Sequence, residues 1–357
     1  MTTDTPQLND HKQNCGSASA ESKPDCIMPS ASNFAEGKAE YSPMHTAETE
    51  APQTISYTQG YTIRGIAMLL IMFVHSINEY QCYESHLSKI LLIPMFGVLG
   101  CSLFFFMSGY GMAISLSAKS KLELTTKYLL THIKKIITPV IIVYLLNSIL
   151  LPQTLSYNNI TIDHFNIFKF NLPEGTDIWF VKIILFDYVT TFLLFKSTAS
   201  IKKKVIYLSL TQSALITTLY LCQAGAYWYI SNLCFVLGAL HTIHPILKIK
   251  YTLIAISIFA IYYLCIINNI LFFPIQILGN LAFATIIAYL IKSKKSYPQW
   301  LLYIGKNSLL YYLLNIPIMW LIPCNNLHFI VYFALNIILT TIFVFIYKKV
   351  ENFILEL

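Results

Sequence analysis

From residue 61 almost to the C-terminus the chain reads as apolar blocks of close to twenty residues, divided by short polar connections. About 20 apolar residues is the length an α-helix needs to cross a hydrocarbon core of ~30 Å. The blocks predict ten spans, near 60–80, 89–117, 129–150, 178–196, 204–222, 227–242, 251–268, 270–291, 300–321 and 328–348. Segments of alternating polarity, which build outer-membrane barrels, do not occur. The expected fold is therefore all-α, a polytopic membrane protein of about ten transmembrane helices.

The first residues follow another pattern. Residues 1–60 are rich in Ser, Thr, Ala and Pro, hold eight Asp or Glu against three Lys, and show no periodic apolar face. Such a segment buries too little surface to offset the entropy of ordering it. The expected organisation is a disordered acidic tail over 1–58, a transmembrane domain over 59–350 and a short C-terminal end over 351–357. With no apolar stretch near its start, the tail is not expected to be a secretory signal peptide.

Composition and charge add sidedness. Mean hydropathy is +0.59 and 11% of residues are charged, against about a quarter in soluble domains. Lysines crowd the connections after the second, fourth, sixth and eighth spans and follow the tenth, from Lys119 and Lys121 to Lys348 and Lys349. The intervening connections hold only Lys89 and Lys169, beside Glu79, Glu84, Asp163, Glu174 and Asp177. Lysine-rich connections stay in the cytoplasm. Both termini are expected there, in a cell inner membrane, with the bilayer as a partner and no nucleic acid. The eight cysteines form no C-x-x-C pair and lie mostly within apolar blocks, as small fillers. His241 and His244 are the nearest approach to a metal pair and lack a third ligand, so no metal site is expected.

The polar residues inside apolar blocks carry the chemistry. Arg64 is the only arginine among 24 basic residues. A chain that uses lysine elsewhere reserves its one planar, permanently charged fork for a site that needs it, since an intramembrane charge costs ~2.5–3.5 kcal/mol or more. His75 is the histidine set deepest in a predicted span. Eleven residues correspond to ~1100° of helix rotation, so Arg64, Met68, Met72 and His75 share one face, with ~16 Å between the two polar ends. In "FFFMSGYGMA", Ser108, Gly109 and Gly111 interrupt a bulky run. Gly109 with Ala113 allows close helix approach, or the opened backbone admits a ligand. Lys182 and Asp187 in the fourth span could compensate each other or line a cavity. Lys306, Asn307, Ser308 and Asn315 enter the ninth, where Asn315 needs a hydrogen-bond partner.

"RGIAMLLIMFVH", "LFFFMSGYGMA", "DIWFVKIILFDY", "FVLGAL" and "YIGKNSLLYYLLNIPI" stand in the order seen in the acyltransferase 3 family, bacterial integral-membrane O-acyltransferases. The resemblance covers about residues 57–350. Arg64 and His75 match its arginine–ten residues–histidine motif, and Ser108, Gly109 and Tyr110 its serine–glycine–aromatic motif. It implies transfer of an acyl group, commonly acetyl from acetyl-CoA as co-substrate on the cytoplasmic side, to a hydroxyl of a glycan or lipid-linked glycan. His75 would be the general base and Arg64 would help hold the donor. Lys134, Lys135, Trp179, Lys306, Ser308 and Asn315 join the candidate binding residues. The chain departs from the pattern twice. "HIKKIITP" places His132 and Lys135 before Pro139 where members often carry R-x-x-R, and Asn315 stands where many have histidine, so no acid or base role falls to it. No fused esterase-like domain is expected after the tenth span, and an extracytoplasmic carrier step would need a separate partner. A transporter or flippase, or an inactive relative, is the alternative reading, and acceptor-dependent release of CoA separates them.

Overall fold

The computed structural model describes residues 54–81, 93–120, 122–150, 179–268, 270, 272–294, 296–323 and 327–356. Among these no strand occurs. The elements are α1 (Tyr57–Gln81), α2 (Ile93–Ser117), α3 (Thr126–Leu150), α4 (Trp179–Lys196), α5 (Ile201–Leu221), a 3-10 turn (Ala226–Trp228), α6 (Leu233–His241), α7 (Ile249–Ile267), α8 (Phe273–Lys292), α9 (Gln299–Lys306), α10 (Ser308–Trp320) and α11 (Phe329–Glu356). The predicted tail lies outside the described residues up to residue 53, as does the connection of residues 151–178.

Each predicted block coincides with helix, but not each makes one long helix. Five segments are long and apolar enough to cross a membrane: Tyr57–Tyr80, Met95–Ser117, Ile249–Ile267, Phe273–Lys292 and Phe329–Asn352. By this measure the described residues support five spans and not the predicted ten. The physical reasons differ from block to block. The sixth forms only the nine residues of α6, ~14 Å long. The ninth is cut in two at Asn307. The fourth carries three charges, Lys182, Asp187 and Lys196, and the fifth follows Lys202–Lys204 with polar Ser209, Thr211, Gln212, Ser213, Thr217 and Thr218. α1 begins at Tyr57, and α11 continues without a break through Glu356.

Glycines set the helix crossings around α1 and α2. A Cβ on Gly109 would stand 1.9 Å from the Phe235 carbonyl oxygen, and one on Gly238 would stand 1.9 Å from that of Phe106. Here α2 and α6 touch backbone to backbone. The same happens between α1 and α9, where a Cβ on Gly65 would lie 2.5 Å from the Leu301 oxygen. Without a hydrophobic force between helices in lipid, small residues that admit this approach supply the packing.

The lysine-bearing helix ends meet one another. Gln59 Nε2 at the start of α1 donates to the carbonyl of Lys292 at the end of α8 (3.0 Å). Ser115 and Tyr128 join the end of α2 to the start of α3 (2.6 Å). Lys204 Nζ reaches back from α5 to the Phe195 carbonyl of α4 (2.9 Å). In the turn between α2 and α3, Glu123 accepts the Ser120 N–H at 2.8 Å. That bond, with the Ser120 hydroxyl, holds its carboxyl below the ordinary value.

Candidate active site

Arg64 lies two turns into α1 and lines a cleft of about 710 Å³ among α3, α9, α10 and α11. Lys134 and Lys135 of α3, Lys306 of α9 and Lys348 of α11 line it with Arg64, against a single carboxylate, Glu351. Lys348 and Glu351 pair at 2.6 Å. Polar side chains of Thr131, Thr138, Asn307 and Ser308 complete the wall. The buried Tyr347 hydroxyl, also of the lining, has no hydrogen-bond partner among the described residues. The volume is that of a small-molecule site, and its charge selects an anion. An arginine that would be expensive in lipid is thus placed against a polar hollow.

The break between α9 and α10 belongs to this wall. Asn307 Nδ2 donates back to the Tyr303 carbonyl (2.9 Å), capping α9 with a side chain. Its own carbonyl accepts the N–H groups of Leu310 and Tyr311, which starts α10. Ser308, Leu309 and Leu310, the first turn of α10, therefore open onto the cleft. A helix start presents unpaired N–H groups and the positive end of the helix dipole, so this arrangement adds to the lysines' attraction for an anion.

At the other end of the α1 seam, His75 Nδ1 lies 2.8 Å from Asn315 Oδ1 of α10. Met68 and Met72 between the two polar residues are fully buried. Arg64 and His75 do not diverge. The first shares a cleft with the start of α10, and the second contacts its middle. Asn315 stands five residues beyond Leu310, ~8 Å further along that helix. One residue beyond His75, Ser76 accepts from Asn336 Nδ2 of α11 (3.0 Å), whose Oδ1 accepts from Thr340 (3.1 Å). All three are fully buried.

The other candidates separate. Ser108 pairs with the phenol of Tyr188 in α4, which lies within electrostatic reach of Arg64; Ser108 itself is not part of the cleft lining. Gly109 faces Phe235, so the space beside it is filled by protein. The Tyr110 hydroxyl accepts the Ile55 N–H at 2.6 Å and so fastens the segment ahead of α1. Trp179 packs among Phe180, Tyr227 and Trp228. Asp187 takes its hydrogen bond from Gln212 of α5, and the Lys182 ammonium lies over the Trp228 ring at 5.6 Å, so these two do not compensate each other. His132 bonds the Tyr128 carbonyl (2.9 Å).

Tyr188, Thr131, Thr138, Tyr347 and Glu351 escaped the reading of the sequence. The one available signal was the Lys348–Glu351 spacing of three, which puts a carboxylate beside a lysine at the close of an apolar block. A family model described as an acyltransferase domain, that of the acyltransferase 3 family, matches residues 62–349. No curated protein and no solved structure matches the chain.

Proposed function

The chain belongs to this acyltransferase family, and on that premise we propose that it is a membrane-bound O-acyltransferase that takes its acyl group from acyl-CoA. The acceptor is a hydroxyl of a glycan or related cell-envelope molecule, and acetyl is the group to test first. The observation that carries this reading is the placement of Arg64 and His75 on one face of α1. One lines a cationic cleft and the other lies in the helix interface beyond it.

In this reading the cleft is the donor's anchoring end. Phosphates meet Arg64 as a planar fork, Lys134, Lys135, Lys306 and Lys348 as point charges, and the start of α10 as a dipole. The lysine bias supports a cytoplasmic side for this end, where acyl-CoA is made, and an inner-membrane setting is part of the same reading. The acyl end then extends along α10 toward His75. A neutral imidazole takes the proton of the acceptor hydroxyl as its oxygen attacks the thioester carbonyl carbon. The carbon–sulfur bond breaks, and the departing thiolate receives a proton, giving ester and free CoA.

The test uses the purified full chain in lipid bilayers with acetyl-CoA. Free CoA should appear when a cell-envelope glycan fraction is added, and the glycan should gain an ester-linked acetyl group. His75→Ala should abolish this turnover. Turnover that persists in that variant removes His75 from the mechanism.

A further inference from the structure

Asn315 has no proton to give or take, yet its contacts determine what His75 can do. Its amide nitrogen makes two hydrogen bonds within α10, to the carbonyls of Tyr311 (3.0 Å) and Tyr312 (2.6 Å). A carbonyl only accepts, so the group facing both must be the NH2. The amide oxygen is then the atom that faces His75 Nδ1 at 2.8 Å. An amide oxygen also only accepts, so Nδ1 must carry the hydrogen. Turning the amide over would set its oxygen against two carbonyl oxygens at a site that is fully buried, where water cannot relieve the clash.

We infer that Asn315 is a positioning residue that locks His75 in the Nδ1–H form, leaving Nε2 as the one nitrogen that both accepts and returns the proton of transfer. This rests on the proposed acyl transfer and sharpens it. The acceptor O–H gives its proton to Nε2 while its oxygen bonds to the thioester carbonyl carbon. When the carbon–sulfur bond breaks, the electron pair leaves with sulfur, and the proton on Nε2 passes to that thiolate. Acceptor and thioester become ester and thiol, and His75 ends neutral as it began. A carboxylate or histidine at position 315 could carry a proton away; an amide cannot. The acceptor oxygen and the leaving sulfur must therefore both reach Nε2 in one ternary complex.

Nitrogen-15 spectra of the full chain in bilayers test the lock without turnover, with His75→Gln to identify the signal among the nine histidines. His75 should show a protonated Nδ1 and a bare Nε2, and Asn315→Leu should admit the opposite tautomer. A protonated Nε2 in the unaltered chain overturns the inference. Kinetics supply the second arm, with acetyl-CoA and the envelope glycan fraction. Asn315→Leu should lower kcat about 10- to 100-fold at unchanged donor KM, a share of what a general base contributes. Asn315→Asp keeps an acceptor for Nδ1–H and should retain more activity than Asn315→Leu. If Asn315 merely holds α10 together, the order reverses, because a carboxylate would face the two carbonyls. Activity that survives in His75→Gln defeats the proposed function and leaves the tautomer result standing.

Discussion

Gly65 and Gly305 lie back to back, with no room for a side chain between α1 and α9. A Cβ on Gly305 would stand 1.8 Å from the Tyr61 carbonyl oxygen and 2.9 Å from the Gly65 nitrogen. Each glycine adjoins a cation of the cleft, Arg64 on one helix and Lys306 on the other. The crossing therefore brings the two charges to one wall. Gly305→Ala must push the helices apart, since backbone cannot turn aside as a side chain can. Overpacking of this kind costs about 1–3 kcal/mol or more. Gly111→Ala is the control, because its new methyl would meet Arg64 Nη2 at 3.9 Å, an ordinary contact. Melting of the two variants in detergent should differ, with Gly305→Ala much the weaker. Equal melting would contradict the crossing.

Arg64→Lys separates charge from shape. Lysine keeps the positive charge but loses the planar pair of donors that grips a phosphate twice. Hydrogen bonds to charged groups contribute about 1.5–3 kcal/mol, so donor KM should rise roughly 10- to 100-fold with a smaller change in kcat. An unchanged donor KM would show that the guanidinium does not bind phosphate.

The Ser76–Asn336–Thr340 chain ties α1 to α11 one residue from His75; Ser76 also donates to Met319 Sδ of α10 (3.5 Å), whereas the Asn336–Thr340 bond lies within α11. Interhelical hydrogen bonds of this kind average about 0.6 kcal/mol in membranes and reach about 1.7. Asn336→Leu should lower stability on that scale while acyl transfer stays near normal. A loss of turnover as deep as that of His75→Ala would instead place the chain within the site.

Local pattern made much of this readable. Helix period alone put Arg64 and His75 on one face, because both lie within a single helix whose geometry is fixed. The partner of His75 was not legible, since Asn315 lies 240 residues away and only packing brings α1 to α10. The need of Asn315 for a partner could be read, but its identity could not. Ser108, Gly109 and Tyr110 show the limit most plainly. They are adjacent in sequence, yet the folded chain sends one to Tyr188 of α4, one into α6 and one to Ile55. The break at Asn307 was hidden because apolar residues continue on both sides of it. It is made by one side-chain amide bonding its own helix.

α11 runs for 28 residues, ~42 Å, and so exceeds a hydrocarbon core of ~30 Å. Lys348 sits ~29 Å along it from Phe329, a distance close to the thickness of that core, with Glu351 one turn beyond. Lipid thickness thus becomes a variable of ligand capture. A thicker bilayer would draw this pair toward hydrocarbon, and a thinner one would leave it in water or tilt the helix. In phosphatidylcholines of graded chain length, donor KM should follow thickness, and a flat series would mean the helix tilts with no effect on the cleft.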